Sequence, residues 1–267
     1  MTDLCLAATC HDPRGVFAQG VVDSSSTFSA AFASMVVNAT TETAPATLDA
    51  LRRAHPGVVV AEHPAGSIGI GTARRDAVAA GVRTGCSRIM YSDLDHVMRW
   101  ATKAPVEMVE VLSRPQDADV VVVGRSAEAL GMEPERLRAT ESVVNKVMAL
   151  ALGLDQQWDF MIATRILGRE TASLLVEQCR EESIANDVVW PLFAAGEGKT
   201  LAYVPADGLA FRARDDYSAA ADERDGDVLE WVTRVTMANH HVQAMLQYLP
   251  TRGAGAAVSP SPSGRTG

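Results

Sequence analysis

The stretch that decides the fold is Ser87–Arg99, which reads SRIMYSDLDHVMR. Ile89–Tyr91 is short and apolar and reads as a buried strand. It leads directly into Asp93-Leu94-Asp95, and His96 follows. Two carboxylates two residues apart on extended backbone point to one side. At the carboxyl end of a strand that side faces a ligand crevice. Paired carboxylate oxygens there suit Mg²⁺ or Mn²⁺ held together with a diphosphate, and a solvated turn with a cap for the helix after Asp95 is the plainer alternative. The chain carries two further Asp-x-Asp pairs, and position separates them from this one. Asp117/Asp119 precedes a strand, and Asp225/Asp227 precedes a helix, where acidic residues cap free N–H groups.

Upstream, Leu4–Thr9, Ser34–Ala39, Val58–Ala61 and Arg88–Tyr91 read as strands, with helices at Thr47–His55 and Ile70–Arg83. Cys10–Gly15 is a Pro- and Gly-punctuated turn, and Gly66–Gly71 is a glycine-rich loop. The strand–helix unit recurs about every 25–30 residues, which predicts an α/β fold with an open, mostly parallel, Rossmann-like sheet flanked by helices. Downstream, Val106–Leu112, Thr140–Leu152, Glu170–Arg180 and Ile184–Ala195 read as helices. Asp119–Gly124, Phe160–Leu167 and Leu201–Val204 read as strands. The spacing predicts a long C-terminal amphipathic helix over Asp227–Leu249, with Val228, Trp231, Val232, Val235, Ala238, Val242, Met245 and Leu249 on its stripe. Residues 251–267 are rich in Gly, Ser and Pro and read as a disordered tail after a single domain over 1–250.

A net charge of −9 disfavours nucleic acid and anionic membrane surfaces as partners. No apolar run reaches about 18 residues, so no transmembrane helix is expected, and the first residues lack a signal-peptide pattern. The four cysteines form no Cys-x-x-Cys pair, which argues against structural zinc and for reduced thiols in the cytoplasm.

Several polar residues fall just after strands: His11, Thr40, Glu42 and Asp93. The Gly66–Arg74 segment opens a helix whose N–H groups and Arg74 can reach a nucleotide phosphate; surface salt bridges for Arg74 and Arg75 are the plainer alternative. Asp187 lies in the first turn of an apolar helix, where it either complements the helix dipole or reaches an acceptor hydroxyl. His240-His241 reads as helix surface or as a late metal ligand, and His96 is kept outside the metal shell. Arg212, Arg214, Asp215 and Asp216 read as a charged lid or a solvated loop.

In order and spacing these features resemble the GT-A glycosyltransferases, the broad group of family-two and mannosylglycerate-synthase-like enzymes. The resemblance runs through roughly Leu4–Tyr217. Its parts are Thr9–Asp12 after the first strand, Asn38–Glu42 after the second, Gly69–Arg75 at a helix start, Asp93/Asp95, and Asn186-Asp187 before an apolar helix. It implies a GT-A fold, a UDP- or GDP-sugar donor, a small-molecule or glycan acceptor, and a divalent metal. Residues 1–100 would then bind the nucleotide-sugar and 101–250 the acceptor. Thr9, His11, Asn38, Glu42, Gly71, Arg74 and Asp93 would contact the donor, Asp93 and Asp95 the metal, and Asp187 the acceptor. A sugar-phosphate nucleotidyltransferase and a non-catalytic nucleotide-binding protein are the alternatives. Asn38 stands where the family often has an acidic pair, and Asn186 where it often has Glu.

Overall fold

The structure is a computed structural model that describes residues 3–114, 117–210 and 224–249. Seven strands form one mixed sheet in the order β3-β2-β1-β4-β6-β5-β7. These are β1 (Leu4–Cys10), β2 (Ser34–Thr40), β3 (Val58–His63), β4 (Arg88–Asp93), β5 (Val120–Arg125), β6 (Thr164–Gly168) and β7 (Leu201–Ala206). β6 runs antiparallel to both of its neighbours, while the other pairings are parallel. The mostly parallel α/β sheet expected from the sequence is therefore present.

The sheet divides two apolar cores, and β1 shows how. Leu4, Leu6, Ala8 and Cys10 point to one face, where α1 (Ala18–Ala31), α2 (Pro45–Ala54), α4 (Leu94–Lys103) and α5 (Pro105–Ser113) pack. Ala7 points to the other face, which is covered by α3 (Ile70–Arg83), α7 (Glu135–Leu152), α8 (Arg169–Gln178) and α9 (Asn186–Gly196). A strand buried on both faces has no need of polar alternation, so β1 and β5 read as continuous apolar runs. The short α6 (Ala127–Gly131) follows β5, and the last helix, α10 (Val228–Met245), packs on α7 and α9.

The chain order sets the site. From β1 it passes to β2 and then β3 on one side, and α3 returns it to β4 on the other side of β1. The reversal opens a crevice at the carboxyl ends of β1 and β4, the usual ligand position in such sheets. Register places Thr9 directly beside Asp93.

Three expectations are corrected. Residues 18–31, which carry no helical expectation, form α1, although Ser24, Ser25, Ser26 and Thr27 are poor helix formers. Ser24 returns its hydroxyl to the Gly20 carbonyl, and Val21 and Phe28 bury the helix in the first core. The stripe of α10 is only half used: Val242 and Met245 pack on the core, whereas Val228, Val232 and Val235 are exposed. The strand expected at Phe160–Leu167 is confined to Thr164–Gly168. No described helix is long and apolar enough to cross a membrane. Residues 211–223, with the charged segment Arg212–Asp216, and the 251–267 tail lie outside the described residues.

Candidate functional site

Two cavities open beyond the strand ends, and Arg74, Asp93 and Ile184 line both. The first, about 320 Å³, lies over β1, β2 and α3. Its polar lining is mostly uncharged. His11 Nδ1 and Thr40 Oγ1 are 2.8 Å apart, and His63 Nδ1 bonds Asn38 Oδ1 at 3.0 Å. Asn38 Nδ2 donates to the Ala73 carbonyl at 3.0 Å, tying β2 to α3. Thr9, His11, Asn38, Arg74, Asp93 and Asp95 all line this cavity.

Two sequence candidates do not. Glu42 is exposed, and its carboxylate accepts the Ala65 N–H at 2.8 Å, which holds it below the usual range. Gly71 serves packing: its N–H donates to the Glu182 carbonyl at 3.0 Å, so it is not free for a phosphate. A Cβ at Gly71 would lie 2.4 Å from the Ser183 carbonyl oxygen, so only glycine allows the 182–183 backbone to approach α3.

The Asp-x-Asp segment differs from an extended pair. β4 ends at Asp93 and α4 begins at Leu94, so Asp95 sits in the first turn of a helix. Both residues still reach the same cavity, but their surroundings are opposite. Asp93 accepts Thr9 Oγ1 at 2.9 Å, the Tyr91 hydroxyl, and Arg74 through Nε at 3.3 Å and Nη2 at 2.6 Å. Burial raises its proton affinity, but Arg74, His96 and these bonds outweigh that and bring it down to about 2. Asp95 is half-buried and makes no hydrogen bond or ion pair with another described residue.

This contrast tests the expected divalent metal. Among the described residues no three His, Cys, Asp or Glu side chains cluster to hold an ion. Both Asp93 oxygens are engaged, which leaves Asp95 as the open carboxylate. A single carboxylate fits Mg²⁺ or Mn²⁺ when diphosphate oxygens and water complete the shell.

Arg74 has different neighbours from those expected. It is buried, with side-chain exposure of 4%, and Nη1 bonds Asp187 Oδ1 and Asn186 Oδ1, each at 2.8 Å. Burial disfavours its charge, yet Asp187 and Asp93 raise its affinity for the proton well above the ordinary value. Arg74 is thus a strut between the end of β4 and the start of α9.

α9 presents Asp187 through a local device. Pro191 lies inside the helix and has no N–H for the Asp187 carbonyl four residues earlier. Arg165 Nη2 donates to that carbonyl at 3.0 Å, so the freed acceptor is satisfied from β6.

The second cavity, about 200 Å³, is lined by Asp187, His241, His96, Glu141, Arg125 and Arg234, with Met161 and Ile162 among the apolar groups. Arg125 anchors it. Its Nε bonds Asp159 Oδ2 at 2.7 Å and its Nη2 bonds Glu141 Oε2 at 2.6 Å, with Glu133 at 3.5 Å. His241 corrects the reading of a helix-surface residue. It is fully buried, whereas His240 is exposed and pairs with Ser183 Oγ at 2.7 Å. The signal that could have found His241 was its place beside Ala238, Val242 and Met245 on the apolar stripe.

No protein-family model and no curated protein matches the sequence. Among solved structures the chain is similar to glucosyl-3-phosphoglycerate synthase of M. tuberculosis: TM-score 0.57 and 14% identity, covering 94% of this chain and 82% of that one. The same synthase with Mn²⁺, UDP-glucose and glycerol 3-phosphate gives TM-score 0.56 and 14% identity over 94% and 82% of the two chains. Its complex with Mn²⁺, UDP and phosphoglyceric acid gives 0.52 and 14% over 87% and 78%. At this identity the likeness concerns architecture, and the architecture is the GT-A fold.

Proposed function

We propose that the chain is a glycosyltransferase that moves a sugar from a nucleotide-diphospho-sugar to a hydroxyl of a small acceptor. The observation that carries this reading is the pair of cavities sharing Arg74 and Asp93 at the β1/β4 crevice. One has a mostly uncharged polar lining away from Arg74, Asp93 and Asp95, suited to a nucleoside; the other contains Asp187. A sugar at their junction would meet the donor diphosphate on one side and an acceptor on the other. The UDP and UDP-glucose complexes of the similar synthase support uridine ahead of guanosine as the donor base.

Thr9, His11 and Asn38 would contact the nucleoside, and Asp187 would hold the acceptor hydroxyl. Asp95 would hold Mg²⁺ or Mn²⁺, with Asp93 acting through water. When bound, the cation supplies positive charge that stabilises the departing nucleoside diphosphate. Arg74 keeps Asp93 and Asp187 at fixed separation, which is what preorganisation at a reacting centre requires. A cavity of about 200 Å³ suits a small acceptor better than a long glycan. The free, buried cysteines Cys5, Cys10, Cys86 and Cys179 support a reducing compartment, and we assign the cytoplasm.

The nucleotidyltransferase alternative needs a loop after β1 with free N–H groups for a triphosphate. Here Val16 and Phe17 donate to the Asp12 carboxylate at 3.0 and 2.8 Å, and Gly15 donates to the Asp12 carbonyl. The loop therefore spends these groups on itself.

The test is thermal denaturation with UDP, GDP, UDP-glucose and GDP-mannose, with and without Mn²⁺, followed by product analysis. A Mn²⁺-dependent rise in Tm with a nucleoside diphosphate, together with its release from the sugar donor, is expected. Pyrophosphate release from nucleoside triphosphate plus sugar phosphate would replace this reading with the nucleotidyltransferase. Binding without either product would leave a non-catalytic nucleotide-binding protein.

A further inference from the structure

His241 is a buried titratable group that the assignments above do not use. Its Nδ1 lies 2.8 Å from the Met237 carbonyl, one turn earlier in α10. A carbonyl only accepts, so Nδ1 carries a proton. In the neutral ring the lone pair is then on Nε2. That atom is buried without a hydrogen-bond partner, and it stands 3.7 Å from Asp187 Oδ2. Asp187 Oδ1 is already taken by Arg74, so Oδ2 and Nε2 are the open pair at the cavity they both line. A lone pair and a carboxylate oxygen at that separation repel. A hydroxyl whose single proton is set between these two acceptors, bonded to Nε2 and facing Oδ2, relieves the repulsion.

We infer that Asp187 and His241 form a proton-sharing couple that grips the acceptor hydroxyl between Oδ2 and Nε2. This assignment rests on the transferase reading and adds a second group to it. In transfer, the hydroxyl oxygen forms a bond to the anomeric carbon while the bond from that carbon to the diphosphate oxygen breaks. The electron pair of the broken bond leaves on the diphosphate, and the hydroxyl proton passes to Nε2. The resulting imidazolium lies beside the Asp187 carboxylate, which stabilises it.

The surroundings agree. Burial lowers the proton affinity of the ring, but Asp187 and the Met237 carbonyl more than offset this, and Arg74 opposes them only weakly; His241 stands above its ordinary value. The other charged or titratable groups lining the cavity are Glu141 from α7, Arg125 from β5, His96 and Asp93 on the β4–α4 side, and Arg234 on α10 itself.

Two measurements on the full chain test the couple. In an NMR titration of the imidazole rings, His241 should be the Nδ1–H tautomer, and its midpoint should fall by about one unit in Asp187→Asn. An Nε2–H tautomer in the native chain, or an unchanged midpoint in Asp187→Asn, overturns the inference. The second measurement follows UDP-glucose turnover with Mn²⁺, with water as the acceptor. His241→Gln should lower kcat about 10²-fold and remove the acid limb of the pH profile, leaving the KM for UDP-glucose and the UDP-induced Tm rise unchanged. An unchanged kcat, or an effect confined to KM, overturns the inference. If the native chain neither binds UDP or GDP nor turns over a donor, the transferase reading fails, and the titration still decides whether the couple exists.

Discussion

The two cavities are separated by one buried arginine, yet they are built from different materials. The cavity over β1 and β2 is lined by neutral hydrogen bonds such as His11–Thr40 and His63–Asn38. The cavity over β5, α7 and α10 is built from buried ions, with Arg125 facing Asp159, Glu141 and Glu133 at once. A nucleoside is a neutral, hydrogen-bonding body common to many donors, and a generic sheet edge can receive it. In the proposed transferase, a reacting acceptor hydroxyl would need charges fixed in place, and the buried network of the second half would supply them. The second cavity is thus the one whose lining also carries buried ion pairs of the fold.

The largest effect should come from breaking that network. Arg125→Met would leave Asp159 buried without its cation and Glu141 with Arg234 alone, 3.7 Å away. It should cost about 3–5 kcal/mol, read from urea denaturation. A cost below about 1 kcal/mol would mean that the network is better solvated than its burial implies, and the contrast between the cavities would weaken. Asn38→Ala, in the first cavity, removes only neutral bonds and serves as the reference in the same experiment.

A smaller effect is expected at the junction. Gly71→Ala would bring a methyl group to 2.4 Å from the Ser183 oxygen and 2.6 Å from the Glu182 carbonyl carbon. These are backbone atoms with no rotamer to yield, so a loss of about 1–3 kcal/mol is expected in thermal denaturation. The displaced 182–183 backbone leads within a few residues into Asp187, so donor turnover should fall while the first cavity keeps its nucleotide. Unchanged turnover would show that the loop and α9 move independently.

What the sequence made legible follows the same division. The first four strands and α3, whose bounds Ile70–Arg83 match the periodicity, come from local patterns of apolar residues and glycine. The position of Asp187 in a first helical turn was equally local. The partners of Arg74 were not: Asn186 and Asp187 lie 112 and 113 residues away along the chain. Arg125 meets Asp159 across 34 residues, and nothing in the spacing of Glu133, Glu141 and Asp159 marks them as one cluster. The reversal of β6 was hidden for the same reason, because a five-residue strand carries no sign of its direction. His241 was misjudged because a doublet of histidines on a helix gives each ring a different face, and only packing against α9 tells which ring is inside.

The smallest effect on stability should come from Asp95, and it sharpens the comparison most. Asp93 and Asp95 are the same residue type two positions apart, but one is saturated by Thr9, Tyr91 and Arg74 while the other is bonded to no described residue. Asp95→Asn should therefore change unfolding free energy by no more than about 0.5 kcal/mol. Asp93→Asn removes a carboxylate from a buried arginine and should cost clearly more without any ligand present. The ligand response should separate the two in the opposite sense. If Asp95 is the carboxylate that holds the cation, Asp95→Asn abolishes the Mn²⁺-dependent part of the UDP-induced rise in Tm and leaves the metal-independent part. If that rise survives in Asp95→Asn and is lost in Asp93→Asn, the cation is held on the strut side of the crevice. Arg74 would then have to release Asp93 when a donor binds, and the wall between the two cavities would be a moving part of the site.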